Sequence, residues 1–287
     1  MDNPASGTID MIADANGNFT TLLAALGTAN LASLVANPDG KFTVFAPTDA
    51  AFAAFLAENN ITANDLLNSP DLADILLYHV ISGKEVNAAA ATAIAGNTVE
   101  MANTDPMALS LSAADLFANL SKIAIPDVDA SNGIIHAIDT VLTPPADAAA
   151  PTQTIAEIAV AEGFTTLVAA LGAANITDLA GPGDFTVFAP TDAAFNAIML
   201  NAGNVGGVPQ ADLQEILLKH VVAGSVDSVT AFTLNGVDVL TLNPNGETVT
   251  LAIDSNQFTV DGAQVTAFDI QATNGIIHVI DAVIALD

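Results

Sequence analysis

The sequence predicts an α+β chain built from two tandem copies of one unit, each with helices packed on an antiparallel sheet or sandwich. Three observations predict it. "FTVFAPTDAAF" occupies Phe42–Phe52 and recurs letter for letter at Phe185–Phe195. The early part of each copy carries helix-period apolar spacing, and the late part carries strand alternation broken by turn dipeptides.

The repeat extends beyond those eleven letters. "FTTLLAALGTANL" (Phe19–Leu31) matches "FTTLVAALGAANI" (Phe164–Ile176), "LYHV" (Leu77–Val80) matches "LKHV" (Leu218–Val221), and "NGIIHAID" (Asn132–Asp139) matches "NGIIHVID" (Asn274–Asp281). A period near half of 287 residues means whole tandem domains, since solenoid repeats are much shorter. Between the copies "TPPADAAAPTQT" (Thr143–Thr154) reads as a semi-stiff linker. The expected organisation is therefore domain 1 over 1–144, linker over 145–154 and domain 2 over 155–287.

Taken in order, Phe19, Leu22, Leu23 and Leu26 fall at i, i+3, i+4 and i+7, one face of a helix. The uncharged run Ala15–Pro38 is long enough to span a bilayer, but Asn16, Gly17, Asn18, Gly27, Asn30 and Asn37 interrupt it, and a membrane span is rejected. Alternation of Phe42, Val44 and Ala46 predicts a strand with one buried face, stopped at Pro47. Thr48 and Asp49 stand where a helix N-cap belongs, as do Thr191 and Asp192. A helix around Leu66–Val80 follows. Asn-Gly or Asp-Gly within "LNGVDVL", "NPNGETVTLAI" and "FTVDGAQVTAF" predicts hairpins in copy two. Both copies end in a strand, "GIIHAIDTVL" and "GIIHVIDAVI".

Composition excludes several function classes. With 32 acidic residues against four lysines and no arginine, the net charge of −28 repels phosphate backbones and anionic membrane surfaces. The same balance fits a salt-tolerant protein. Without cysteine there is no disulfide, zinc–thiolate site or thiol nucleophile. No signal peptide opens the sequence, as Met1 leads into "DNPASGT"; a mature form would look the same.

The motifs together resemble the fasciclin (FAS1) domain: "FTVFAPTDAAF" is similar to its first signature box, "NGIIHAIDTVLTP" and "NGIIHVIDAVI" to its second, and "LLYHV" and "LLKHV" to the Tyr-His region between them. The resemblance covers all but the linker. It implies a wedge-shaped β-sandwich with packed helices in each copy. It also implies adhesion or matrix contact outside the cytoplasm, in the periplasm, at the cell surface or secreted, as in a biofilm. Animal members use the Tyr-His region for receptor contact. Here copy one keeps Tyr78-His79 while copy two has Lys219-His220, and RGD is absent. The chain looks like a prokaryotic relative.

Asp74, Tyr78, His79, Glu215, Lys219 and His220 are accordingly the adhesion candidates, with Asp74, Tyr78, Glu215 and Lys219 expected on the surface. The expected partner is a surface protein or an extracellular matrix polysaccharide, including a second copy of the chain. The runner-up is a small-molecule- or ion-binding module with an apolar pocket between helices and sheet.

No catalytic residues, cofactor or metal ligands are assigned. The histidines, His79, His136, His220 and His278, lack ligand spacing and sit among apolar neighbours, as partly buried structural rings do. "DVDASNGIIHAID" opens like a calcium loop with Asp127, Asp129 and Ser131, but its glycine is one place late and Ile138 replaces the terminal Glu. Diffuse, weak calcium binding by the acidic surface is expected instead. The first box itself reads as architecture, and the sequons at Asn18, Asn60, Asn119 and Asn175 are given no role.

Overall fold

The structure is a computed structural model; it describes residues 7–145, 150–177, 179, 181 and 183–286. The chain divides into two compact units, Met1–Ala146 and Asp147–Asp287. Residues 146–149 of the expected linker lie outside the described residues, and Thr154 already caps the first helix of the second unit.

In the first unit three helices, α1 (Ile9–Asn16), α2 (Thr20–Thr28) and α3 (Ala32–Val35), lead into strand β1 (Phe42–Pro47). Helices α4 (Asp49–Glu58), α5 (Ala63–Leu67) and α6 (Leu72–Leu77) follow, so the run expected as one helix over Leu66–Val80 is two helices and the start of β2 (Val80–Ser82). The break falls at "SPD", where Pro70 disfavours helical geometry at Ser69. After α7 (Ala88–Ala93) come β3 (Asn97–Glu100), β4 (Pro106–Ser112), β5 (Asp115–Ala118), β6 (Ser121–Ala130) and β7 (Gly133–Ile138).

The second unit repeats this with α8 (Ile155–Ala161), α9 (Thr165–Ala173), β8 (Phe185–Pro190), α10 (Asp192–Ala197), α11 (Gln210–Lys219), β9 (Val221–Ala223) and α12 (Ser228–Thr233). Strands β10 (Val237–Leu240), β11 (Thr248–Asp254), β12 (Gln257–Val260), β13 (Ala263–Ala272) and β14 (Gly275–Ile280) complete it. None of these helices is long and apolar enough to cross a membrane.

Each unit forms one seven-stranded sheet, ordered β2-β1-β7-β6-β5-β4-β3 in the first and β10-β11-β12-β13-β14-β8-β9 in the second. The sandwich is this single strip bent along β6, whose pairing with β7 shifts register twice between Ile123 and Val128. The loop after β3 nearly closes it, because the Ala102 N–H donates to the Val80 carbonyl at 2.7 Å.

One expectation needs correction: the sheet is not wholly antiparallel. Strands β1 and β7 run parallel from Phe42↔Gly133 to Pro47↔Ile138, as do β8 and β14. The two signature boxes, far apart in sequence, are neighbouring strands. Parallel pairing requires a long crossover, which the intervening helices and strands supply.

A second correction follows from this. All six residues of β1 are buried, not one face of it. Phe42, Val44 and Ala46 join Leu22, Leu26, Phe52 and Leu76 beneath the helices, whereas Phe45 joins Met107, Leu109 and Ile138 inside the folded strip. A central strand covered on both sides reads as a continuous apolar run. In copy two the Asp261-Gly262 turn links β12 to β13 tightly, both residues with positive φ, as predicted. Asn235-Gly236, however, carries the chain out of α12 rather than turning a hairpin.

The repeated motifs and the candidate contact region

The repeated letters fasten one segment to another. Thr48 is the N-cap of α4, its hydroxyl accepting from the Ala51 N–H at 3.2 Å. Asp49, in the first turn of α4, reaches instead to α2, whose own cap residue Phe19 offers no side-chain acceptor. Its carboxylate accepts from the Thr21 N–H at 2.8 Å and the Thr20 hydroxyl at 2.7 Å. Asp192 does the same for α9 through Thr165 and Thr166. "FTT" and "PTD" recur together because one caps the other. Burial alone would raise the Asp49 carboxyl, but the Thr21 and Thr20 bonds outweigh it and hold it below the usual carboxylate range. The Thr165 hydroxyl holds Asp192 down likewise.

Box two is anchored by a residue that sequence reasoning missed. Asn132 is buried; its Oδ1 accepts from the Ile9 N–H at 2.9 Å, and its Nδ2 donates to the carbonyls of Val35 at 2.8 Å and Asn37 at 2.9 Å. One amide thus satisfies orphan groups at the start of α1 and the end of α3. Asn274 repeats all three bonds with Ile155, Leu179 and Gly181. The only sequence signal was that both copies write Asn before the Gly.

The four histidines fall into two kinds. His79 Nδ1–H donates to the Ile75 carbonyl at 2.7 Å, and Nε2 accepts from the Leu142 N–H at 2.9 Å. The ring ties α6 to the segment after β7. Desolvation lowers its pKa to about 4, against the opposing Ile75 bond, so it is neutral. His220 makes the same two bonds, to Ile216 and from Ile284, and its pKa is likewise lowered to about 4 by desolvation.

His136 takes the opposite tautomer. Nδ1 accepts from the Asp127 N–H at 3.2 Å and Nε2–H donates to the Val86 carbonyl at 2.8 Å. His278 repeats this with Asp269 and Val226. Burial shifts both downward.

Asp127, first residue of the calcium-like loop, sits at a positive φ of 56° within β6 and accepts from the Ala88 N–H at 2.7 Å, at the start of α7. Its counterpart Asp269 takes the Ser228 N–H at 2.8 Å. Among the described residues no group of three or more His, Asp or Glu side chains is placed to hold a metal ion.

The contact candidates divide between surface and core. Asp74 is exposed on α6 and accepts from Asn103 Nδ2 at 3.1 Å; Glu215 on α11 is half-buried. His79 and His220 are buried as described. Tyr78 and Lys219, expected on the surface, are both 0% exposed. Each follows or ends its helix where the chain turns into the edge strand, and each side chain finds polar partners inside. Tyr78 Oη donates to the Pro106 carbonyl at 2.7 Å and accepts from Asn119 Nδ2 at 2.9 Å. Lys219 Nζ lies 3.2 Å from Glu247 Oε2 and 3.5 Å from Asp261 Oδ2. Such pairing is what permits a polar group inside. Asn119, one of the sequons, is likewise a buried fastener.

Comparison with known proteins agrees with this architecture. The Fasciclin domain model matches residues 17–144 and 162–286. An uncharacterised protein of Synechocystis sp. is 42% identical over 131 residues, covering 46% of this chain and 93% of that protein. Transforming growth factor-beta-induced protein ig-h3 of Sus scrofa is 28% identical over 94% of this chain, which spans only 38% of that protein. Among solved structures, a FAS1 domain pair from the insect cell adhesion molecule fasciclin I is 16% identical over 96% of each chain, with a TM-score of 0.41. With its signature boxes paired strand to strand in both units, and the family model matching both, the chain belongs to the fasciclin domain family as a tandem pair.

Proposed function

We propose that this chain is a non-enzymatic adhesion or matrix-interaction protein that acts outside the cytoplasm. Membership of the fasciclin family in both halves carries the reading, since that resemblance implies adhesion. A second observation supports it: the four motif histidines are neutral, buried and engaged in internal bonds, which leaves recognition to the outer surface. The partner is a surface protein, a matrix polysaccharide or a second copy of the chain, and two domains on one chain raise avidity when both engage.

With Tyr78 and Lys219 inside, the contact is assigned to the outer faces of α6 and α11, where Asp71, Asp74 and Asp212 are exposed and Glu215 is half-buried. An acidic patch of this kind binds basic partners, or acidic ones through calcium, and weakens with salt. The pocket reading has less support. The cavity between helices and sheet in the second unit, lined by Phe164, Leu167, Val187 and Ile277, measures about 10 Å³. That is room for one water at most.

The test is saturable binding of the whole chain to source-type cells and their extracted matrix, with and without calcium, at low and high salt. The charge-reversal variants Asp71→Lys/Asp74→Lys and Asp212→Lys/Glu215→Lys, at surface positions, are compared with the parent. Tenfold or greater loss of binding in the combined variant is expected. Binding that survives reversal moves the contact to another face, and no binding under any condition overturns the adhesion reading.

A further inference from the structure

The two units differ at one buried spot in a correlated way. In the first unit Tyr78 and Asn119 meet there; in the second the equivalent positions are Lys219 and Asp261, and Glu247 joins them from the backbone position that Asp105 holds in the first. The backbone establishes the equivalence. Asn119 exchanges two bonds with Ala108 just as Asp261 does with Thr250, and Asp105 accepts from Met101 as Glu247 does from Thr241. A neutral phenol–amide pair has become an ammonium between two carboxylates, with side-chain exposures of 0% for Lys219, 15% for Glu247 and 23% for Asp261.

Charge explains why the tyrosine and asparagine positions change together, the third being a carboxylate in both units, and chemistry suggests more. Lys219 is itself fully buried, and handing its ammonium proton to the carboxylate 3.2 Å away would leave a neutral amine where a charge is costly, while Glu247 and Asp261 stay at the rim of the site. The amine is then a nucleophile. Asp261 is held beside it: Oδ1 accepts from the Thr250 N–H at 2.7 Å, and Oδ2 lies 3.5 Å from Lys219 Nζ. The first contact is an oxyanion donor in place before any reaction.

We propose that Lys219 and Asp261 condense to an intrachain amide, with Glu247 relaying the protons. The Nζ lone pair bonds to Cγ of Asp261 while Glu247 protonates Oδ2 and negative charge gathers on Oδ1 against the Thr250 N–H. Glu247 then removes a proton from the nitrogen and returns it to the Oδ2 hydroxyl, which leaves as water. The net change is ammonium plus carboxylate to amide plus one water; Glu247 ends as it began, and no oxidant is needed. The bond joins the end of α11 to the β12–β13 turn, giving a cysteine-free domain a covalent staple that acts on the unfolded chain as a disulfide does. Unit one, with tyrosine and asparagine there, has no such chemistry.

Intact-mass measurement of the whole purified chain decides it. The expected mass is one water below that of the sequence, with fragmentation of a digest yielding a branched peptide joined through Lys219 and Asp261. A chain at full sequence mass overturns the proposal. Asp261-Gly262 can also lose water by succinimide formation, so Lys219→Met is the control: the deficit must vanish in it, and a deficit that persists there with no branched peptide in the parent overturns the proposal. Glu247→Gln is expected to keep the full sequence mass, and efficient bond formation in that variant would remove the role assigned to Glu247.

Discussion

Gly133→Ala is expected to unfold the first domain while leaving the second folded, and Gly275→Ala to do the reverse. Gly133 has a φ of 152°, and a Cβ there would lie 2.1 Å from the Phe42 carbonyl oxygen; at Gly275 the distance to the Phe185 oxygen is 1.9 Å. Both obstacles are backbone, so no rotamer change relieves them. Nor can the backbone move easily, because β1 and β7 are in register over six pairs and packed on both faces. The cost is expected to be about 4 kcal/mol or more, the extreme of single-residue effects, against a domain stability of about 5–15 kcal/mol. Urea unfolding of the full chain, followed separately for each unit, should show one transition lost or strongly shifted. Gly27→Ala in α2 is the control: its Cβ would meet nothing within 4 Å, and helix propensity predicts no loss.

Acidification is expected to weaken both domains before most carboxylates titrate. His79 and His220 have folded pKa values lowered to about 4 from 6.5, so the unfolded chain binds the proton more readily. The sign follows: their contribution is complete above pH 6.5 and is lost as pH falls toward 4. At about 1.4 kcal/mol per unit, that is on the order of 3 kcal/mol per ring. His136 and His278 act in the same direction. Urea midpoints at fixed high salt should fall steadily from pH 7 to pH 4.5, and the slope should shrink in His79→Gln and His220→Gln. Stability that holds or rises over this range would refute the assignment, as relief of the −28 net charge alone would produce a rise.

What the sequence revealed was local or repeated. The two-unit plan, the α2 face, the Thr48 cap and the Asp-Gly hairpin all rest on neighbours a few residues apart. What escaped it depends on distant partners. Asp49 stands where a cap belongs, yet it caps a helix 28 residues back. Asn132 is explained by groups 97 and 123 residues away. That the boxes pair in parallel is invisible to alternation, since each reads as an apolar strand in isolation. Lys219 is expected outside because it stands in the Tyr-His region, and carboxylates brought in just before β11 and by the β12–β13 turn reverse that. The Ser255-Asn256 turn between β11 and β12, with φ of 50° and 63°, lacked the glycine that marks such turns.

The central claim is that the histidines of the repeated motifs are internal fasteners and not sites of chemistry. Long-range 1H–15N spectra of the four imidazoles, recorded through pH 6.5 with and without calcium, test it most directly. The account predicts neutral rings throughout, with His79 and His220 protonated at Nδ1, His136 and His278 at Nε2, and no response to calcium. A ring that titrates at the ordinary value of 6.5, holds the other tautomer or moves with calcium would contradict it.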